Sequence, residues 1–383
     1  MTVSIGRREL LAALGGAAAW RLAARAQQAD DAGDRVSASP TLTPFAIRPG
    51  QEFLANSWCY QKLAPDAALD PNSTLIRDYL VGQMQAAAAA CLYGVPVYRV
   101  PANTPTVPVR VDESRTDPWA VQLRAQFAAG VPLPDNYIQG GGSDNNAVIY
   151  QPDTHKMWEG WVWAKTGAKV RDSIGRLVDE YTISWGGFWD DLRTSDGTGA
   201  PQPPSGIKPG FSAAGIPWIA YNISLGDIQQ QAIKHVVGLT IPVGARRSDV
   251  WNHPPAWRTD GYPPNVGDNL TPEGAIFRLP PDINLDAYPA LAWDGTSPKV
   301  LWRLIAEAMR DYGMVIHDQG GGTVMDMENP FSGQYDPNLI WTQPILGTLG
   351  AYHPWGFDNT YISTGPEFPW DKMQLLKMNL VSS

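Results

Sequence analysis

The chain lacks the groupings that build the commoner catalytic centres. Its five histidines, His155, His235, His253, His317 and His353, are scattered. No HExxH or His-x-His pair occurs, which argues against a histidine-built zinc site. Only two cysteines are present, Cys59 and Cys91, and no CxxC, so redox thiol chemistry has no support. The two either pair or lie separately buried; Cys91 falls in an Ala-rich apolar stretch where a thiol packs as a small hydrophobe. The glycine runs 140–142 and 320–322 lack the spacing of dinucleotide or phosphate loops. Gly210 to Gly215 is one residue too long for a nucleophile elbow. No later segment has the roughly 20 apolar residues of a membrane span.

Positive charge is also short. Lys and Arg number 29 against 38 Asp and Glu, a net charge of −9. The N-terminus carries part of that positive charge. Gly6-Arg7-Arg8-Glu9-Leu10-Leu11 opens an apolar run to Ala19, and Ala24-Arg25-Ala26 is a small-x-small cleavage site. This resembles the twin-arginine export leaders of Gram-negative bacteria, which implies folding before export and a periplasmic or secreted destination. Residues 1–26 read as signal peptide, 27–49 as a flexible linker and 50–383 as a single β-rich domain. Removing the leader leaves a net charge of about −12. Such a surface repels phosphate backbones and anionic lipid. The expected partners are the export machinery and a polysaccharide or oligosaccharide, not nucleic acid.

What the chain does have is ring and turn chemistry: 16 Trp, 37 Gly and 34 Pro. Short aromatic runs between Gly/Pro turns predict a mainly β fold, a jelly-roll-like β-sandwich with a few peripheral α-helices. The alternative is a larger α+β arrangement in which helices 73–92 and 298–312 cover one sheet. Pro152-Asp153 between Ala147–Gln151 and Met157–Trp163 predicts a hairpin. Further strands are expected at 95–100, 107–111, 181–185, 236–241, 274–279 and 314–317, a loop at 246–272, and a C-terminal helix at 370–380.

Candidate chemistry rests on carboxylates beside indoles. In an extended 157–165, Glu159, Trp161 and Trp163 share one face. Indole faces cover the C–H face of a pyranose, and a carboxylate in that apolar setting is pushed toward general-acid use. Glu159 is therefore the expected acid, or else a structural charge among core rings. Asp144 or Asp260 would be the base or nucleophile, though Asp144 also suits a turn. Trp161, Trp163, Trp185, Gln151, Arg258 and His235 are candidate substrate contacts. Gln151 reads equally as a turn contact, Arg258 as an ion-pair partner of Asp260, and His235 as a core histidine. Asp190, Asp191 and Asp196 offer calcium a place without an EF-hand spacing; no cofactor is otherwise predicted.

Ser143-Asp144, Tyr150-Gln151-Pro152, Trp158-Glu159, Trp185-Gly186-Gly187, Arg258-Thr259-Asp260-Gly261, Glu273-Gly274 and Tyr312-Gly313-Met314-Val315 together resemble a family of exported bacterial proteins. The likeness covers most of 50–383 and is similar in feel to jelly-roll polysaccharide-active enzymes. It implies a fold and assigns no catalytic residue. The expected function is a glycoside hydrolase. A polysaccharide lyase, with a His235 or Tyr base and Arg258 on a uronate, and a non-catalytic carbohydrate-binding or cell-surface protein are the alternatives.

Overall fold

A computed structural model describes residues 53, 56–84, 88–90, 95–116, 118–135, 137–140, 144–198, 210–261, 263–297, 299–328, 360–362 and 368–382. The leader, Cys91 and His353 lie outside these, so the export signal and the cysteine pairing do too; Cys59 is buried. The strands are β1 (Ala88–Ala90), β2 (Val97–Arg99), β3 (Val109–Val111), β4 (Ala147–Gln151), β5 (Lys156–Trp161), β6 (Ala164–Arg171), β7 (Leu177–Ile183) and β8 (Trp185–Trp189). After these come β9 (Val237–Pro242), β10 (Arg246–Asn252), β11 (Thr271–Glu273), β12 (Ile276–Arg278), β13 (Met314–Gly320), β14 (Thr323–Met325), β15 (Thr360–Ile362), β16 (Gln374–Leu375) and β17 (Leu380–Ser382). Four helices are described: α1 (Ser73–Gln83), α2 (Pro118–Ala128), α3 (Leu225–Gln230) and α4 (Leu301–Asp311).

The strands form four sheets. One has seven strands in the order β15-β1-β14-β9-β13-β12-β16. The others are β2-β4-β5-β8, β3-β7-β6 and β11-β10-β17. The fold is thus mainly β, as expected. All four sheets mix parallel with antiparallel pairs.

Strand alternation distributes the core. Met314 and Ile316 of β13, with Val237 and Leu239 of β9, pack on Leu301, Leu304, Ile305, Ala308 and Met309 of α4 and on Ile76 and Leu80 of α1. Two helices covering one sheet is what the α+β alternative expected. Val315 faces the other way, onto a cluster with Trp218, Tyr221, Met157 and Trp189. The four-stranded sheet therefore lies against the seven-stranded one. Its far face, with Ile149 and Trp158, packs on Val109, Tyr181 and Ile183 and on Leu123 and Phe127 of α2.

Several boundaries move. Helix α1 stops at Gln83, and Ala88–Ala90, expected in its last turn, pairs between β14 and β15 instead. The expected C-terminal helix shrinks to a turn at Trp370–Lys372, because Phe277 and Arg278 draw Gln374 and Leu375 into the seven-stranded sheet. The expected loop from 246 contains β10.

The most consequential correction is Trp163. Strand β5 ends at Trp161, and Val162 takes a left-handed conformation at φ 56°. That breaks the period-2 alternation. Trp163 then turns onto the face of Gly160, where its indole fills the space a Cβ would need. It is 0% exposed, ringed by Phe127, Tyr137 and Tyr181. It lines no groove. Trp163→Ala is expected to cost about 3–5 kcal/mol, the range for a buried large aromatic. Urea denaturation measures it, and a loss below about 1 kcal/mol would contradict this placement.

Candidate active site

The site grows from the hairpin β4–β5 and its neighbour β8. Pairing sets Glu159 opposite Gly187 and Trp161 opposite Trp185, so these four positions share one face. Gly187 has no side chain, and the backbone N–H of Gly210 occupies the space one would need. The segment 210–218 therefore lies directly on the sheet. Glu159 holds it down: Oε1 accepts from Phe211 N and Oε2 from Trp218 N, each at 3.0 Å. Glu159 is 0% exposed. Burial pushes its pKa to about 8, against the pull of those two N–H groups and Arg258.

Arg258 gathers the rest. Its Nε donates to Ala213 O at 3.1 Å, and its Nη2 to Gly210 O at 2.7 Å and Ser212 O at 2.9 Å. The guanidinium lies 5.8 Å from the Trp185 ring centre. Burial draws its pKa down, while Glu273, Asp318, Glu159 and Asp260 oppose that.

Asp318 reaches this centre through a bulge. Ile316 pairs with Leu239 and Asp318 with Thr240, so β13 carries one extra residue, His317. Such a bulge re-aims side chains. Asp318 Oδ2 accepts from Ala213 N at 3.1 Å and Oδ1 from Gln319 N at 2.7 Å. It is partly exposed, and burial still lifts its pKa to about 6. Glu273, at the end of β11, is 0% exposed and is pushed to about 8 by burial and by Asp318. Its Oε2 accepts from Asp260 N at 3.1 Å. Asp260 is exposed, and its Oδ2 accepts from Gln319 Nε2 at 2.5 Å. Gln319 is held in turn by buried Arg246, whose Nε donates to Gln319 Oε1 at 2.6 Å.

Four carboxyl groups thus surround two guanidinium groups. Holding protons on Glu159 and Glu273 at neutral pH brings the carboxylate charge down toward that of Arg258 and Arg246. Partial solvent access is left to Asp318, Asp260, Gln319 and the two indoles Trp161 and Trp185.

The other candidates fall outside this centre. Asp144 is exposed and accepts from Trp161 Nε1 at 3.0 Å, so it orients that ring. Gln151 is buried, donates to Pro101 O at 3.2 Å and accepts from Thr154 at 3.0 Å, a turn contact. His235 is buried against Asp227 at 3.1 Å and Val236 O at 2.6 Å, where it secures the capped start of α3. Asp190 pairs with Lys156, Asp191 with Arg193, and Asp196 with the Thr198 N–H and hydroxyl. Among the described residues no three His, Cys, Asp or Glu gather as a metal site. No helix among them is long and apolar enough to cross a membrane. Asp318 lies one residue beyond the expected strand end at His317, so the sequence pattern does not single it out. Its signal was a carboxylate at the exit of a buried run that follows a helix.

The raised carboxyls fix a pH dependence. Folding lifts Glu159 and Glu273 from 4.5 to about 8 and Asp318 from 3.8 to about 6. Between those values the native state binds more protons than the unfolded chain, so stability falls as pH rises. It is fully present below about pH 4 for these groups and lost by about pH 8. Acids held low by hydrogen bonds, such as Asp179 and Asp294, act oppositely, but only on the acid side of pH 4. Denaturation at pH 5 and pH 8 should differ in favour of pH 5, each of the two glutamates contributing on the order of 3 kcal/mol. Glu273→Gln should narrow the gap. Equal or greater stability at pH 8 would contradict the burial of these groups.

Compared with known proteins, the chain matches no family model, no curated protein and no solved structure.

Proposed function

We propose that the protein is an exported glycoside hydrolase, with Asp318 as general acid and Asp260 as base or nucleophile. The observation that carries this is the pair itself. A partly exposed carboxyl lifted to about 6 and an exposed one are bridged by a single residue, Gln319. Glycosidic cleavage needs two carboxyl groups with different protonation. The half-buried indoles Trp161 and Trp185 lie on the sheet face that borders the pair. The four-stranded sheet lying against the seven-stranded one supports a layered mainly β fold as the setting for such a site.

Glu159 takes a different role from the expected one. It holds a proton near neutral pH, as its apolar setting suggested, but no solvent reaches it, whereas Asp318, held by two backbone N–H groups in the same way, is partly exposed. It positions segment 210–218, which in turn holds Asp318 and Arg258. The geometry supports the lyase alternative less: its His235 base lies against Asp227, and the Nε and Nη2 of Arg258 bind backbone carbonyls, which leaves a tyrosine as the base for that reading.

The decisive experiment is incubation with a panel of neutral and acidic glycans, reading new reducing ends and unsaturated uronate separately. Reducing ends without unsaturation are expected from neutral glycans. Unsaturated product would transfer the case to a lyase, and binding without turnover to a carbohydrate-binding protein. Export is tested independently. With Arg7 and Arg8 both replaced by Lys, the precursor should stay in the cytoplasm; normal export would defeat the twin-arginine assignment.

A further inference from the structure

A cavity of about 370 Å³ opens beside the Trp161 end of the site. Its walls come from three places near strand ends: Asp112 and Glu113 after β3, Val162 and Ala164 at the step from β5 into β6, and Thr182 and Ser184 where β7 gives way to β8. The left-handed turn at Val162 creates it. Val162 N donates to Asp144 O at 2.6 Å, and Ser184 N to Trp161 O at 2.9 Å. The chain therefore steps sideways, sending Trp163 into the core and leaving a hollow where β5 would have continued.

The hollow is continuous with the aromatic end. Val162 follows Trp161, and Ser184 precedes Trp185. Another wall residue, Ser114, precedes Arg115, whose guanidinium lies 5.2 Å from the Trp185 ring centre. Asp144 ties the two together, with its carbonyl on Val162 and its carboxylate on the Trp161 indole.

We propose that this cavity is a second sugar subsite, binding a neutral pyranose unit of the same glycan whose neighbouring unit lies on Trp161. The volume falls within the range of small-ligand sites. Val162 and Ala164 offer an apolar floor for a C–H face. Thr182 and Ser184 supply hydroxyls, and Glu113 accepts from sugar hydroxyls beside Asp112, whose Oδ1 already accepts from Ser114 N at 2.9 Å. The cavity's one cation, Arg110, is partnered with Glu180 at 3.7 Å. Arg115 and Arg124 lie near enough to act on Asp112, and the lining residues themselves offer a uronate or sulfated unit no unpaired cation, which favours a neutral one.

This rests on the glycosidase reading, and the test separates the two. The probes are cellohexaose, laminarihexaose, xylohexaose and N-acetylated chitohexaose, each with its trimer. Ala164→Phe fills the cavity from a partly exposed strand edge, and Glu113→Gln removes an exposed acceptor without changing shape. Neither residue belongs to the proposed catalytic group. The parent should prefer one hexamer over its trimer in kcat/KM by at least about tenfold, equivalent to ~1.4 kcal/mol of binding. Ala164→Phe should abolish that preference through KM while the trimer rate stays at the parent value. Glu113→Gln should weaken it partly. Equal rates on trimer and hexamer, or a preference that survives Ala164→Phe, overturns the subsite and leaves the hydrolase reading standing. A parent that neither binds nor cleaves any probe overturns both.

Discussion

Replacing Arg258 by Met is expected to cost about 3–5 kcal/mol at pH 7.5, the loss seen when one partner of a buried charge group is removed. The methionine matches the stem in length, so packing is largely kept. What disappears is the fork that binds the carbonyls of Gly210, Ser212 and Ala213. Three backbone acceptors lose a donor, and Glu159, Glu273, Asp318 and Asp260 lose the cation they share. Glu159, Glu273 and Asp318 must then take up protons more readily. The loss should therefore shrink at pH 5, where protons are supplied by the solvent, and this pH signature separates a charge effect from plain loss of packing. Arg258→Lys keeps a charge but not the planar fork and should recover only part of the loss. Urea denaturation of both variants at the two pH values gives the answer. A methionine variant as stable as the parent at pH 7.5 would mean that the centre is not organised around Arg258.

What could be read in the sequence divides along a physical line. Local patterns were legible. The hairpin β4–β5 follows from Pro152-Asp153, and the buried stripe of α4 follows from 3.6-residue spacing. The same spacing in Ala120, Leu123 and Phe127 marks α2, which went unread although the signal was there. Single-residue backbone events were not legible. One left-handed residue, Val162, sends Trp163 to the opposite face, and one extra residue in β13 brings Asp318 inward. Neither has a composition signature. The site itself is long-range: Glu159 binds backbone groups 52 and 59 residues away, and Asp318 binds one 105 residues away. Of the three expected carboxylates, only Glu159 and Asp260 converge on Arg258. Asp144 stays with Trp161, which no strand alternation could foretell.

Asp318→Asn is expected to lower turnover by about 10² or more on whichever glycan the parent cleaves. As general acid, Asp318 must carry its proton, and with a pKa of about 6 it does so only in the acid range. The parent's kcat/KM should therefore fall about tenfold per pH unit above 6. In Asp318→Asn that limb should vanish, leaving a low and flat profile. The substitution also disturbs structure, because an amide cannot accept from both Ala213 N and Gln319 N as the carboxylate does. One mismatched donor costs about 1–3 kcal/mol of stability. Stability loss alone, however, leaves the position of the pH limb untouched in the molecules that remain folded. Substrate affinity should also change little, because the acid acts on the leaving oxygen in the transition state. Asp260→Asn provides the complementary reading. Asp260 is exposed, so its loss should barely affect stability. It should lower turnover by about 10² or more while the residual activity keeps its limb near pH 6, which belongs to Asp318. If instead the limb persists unchanged in Asp318→Asn, another group donates the proton. Glu273, whose value of about 8 would place the limb two units higher, would then be ruled out by the same profile.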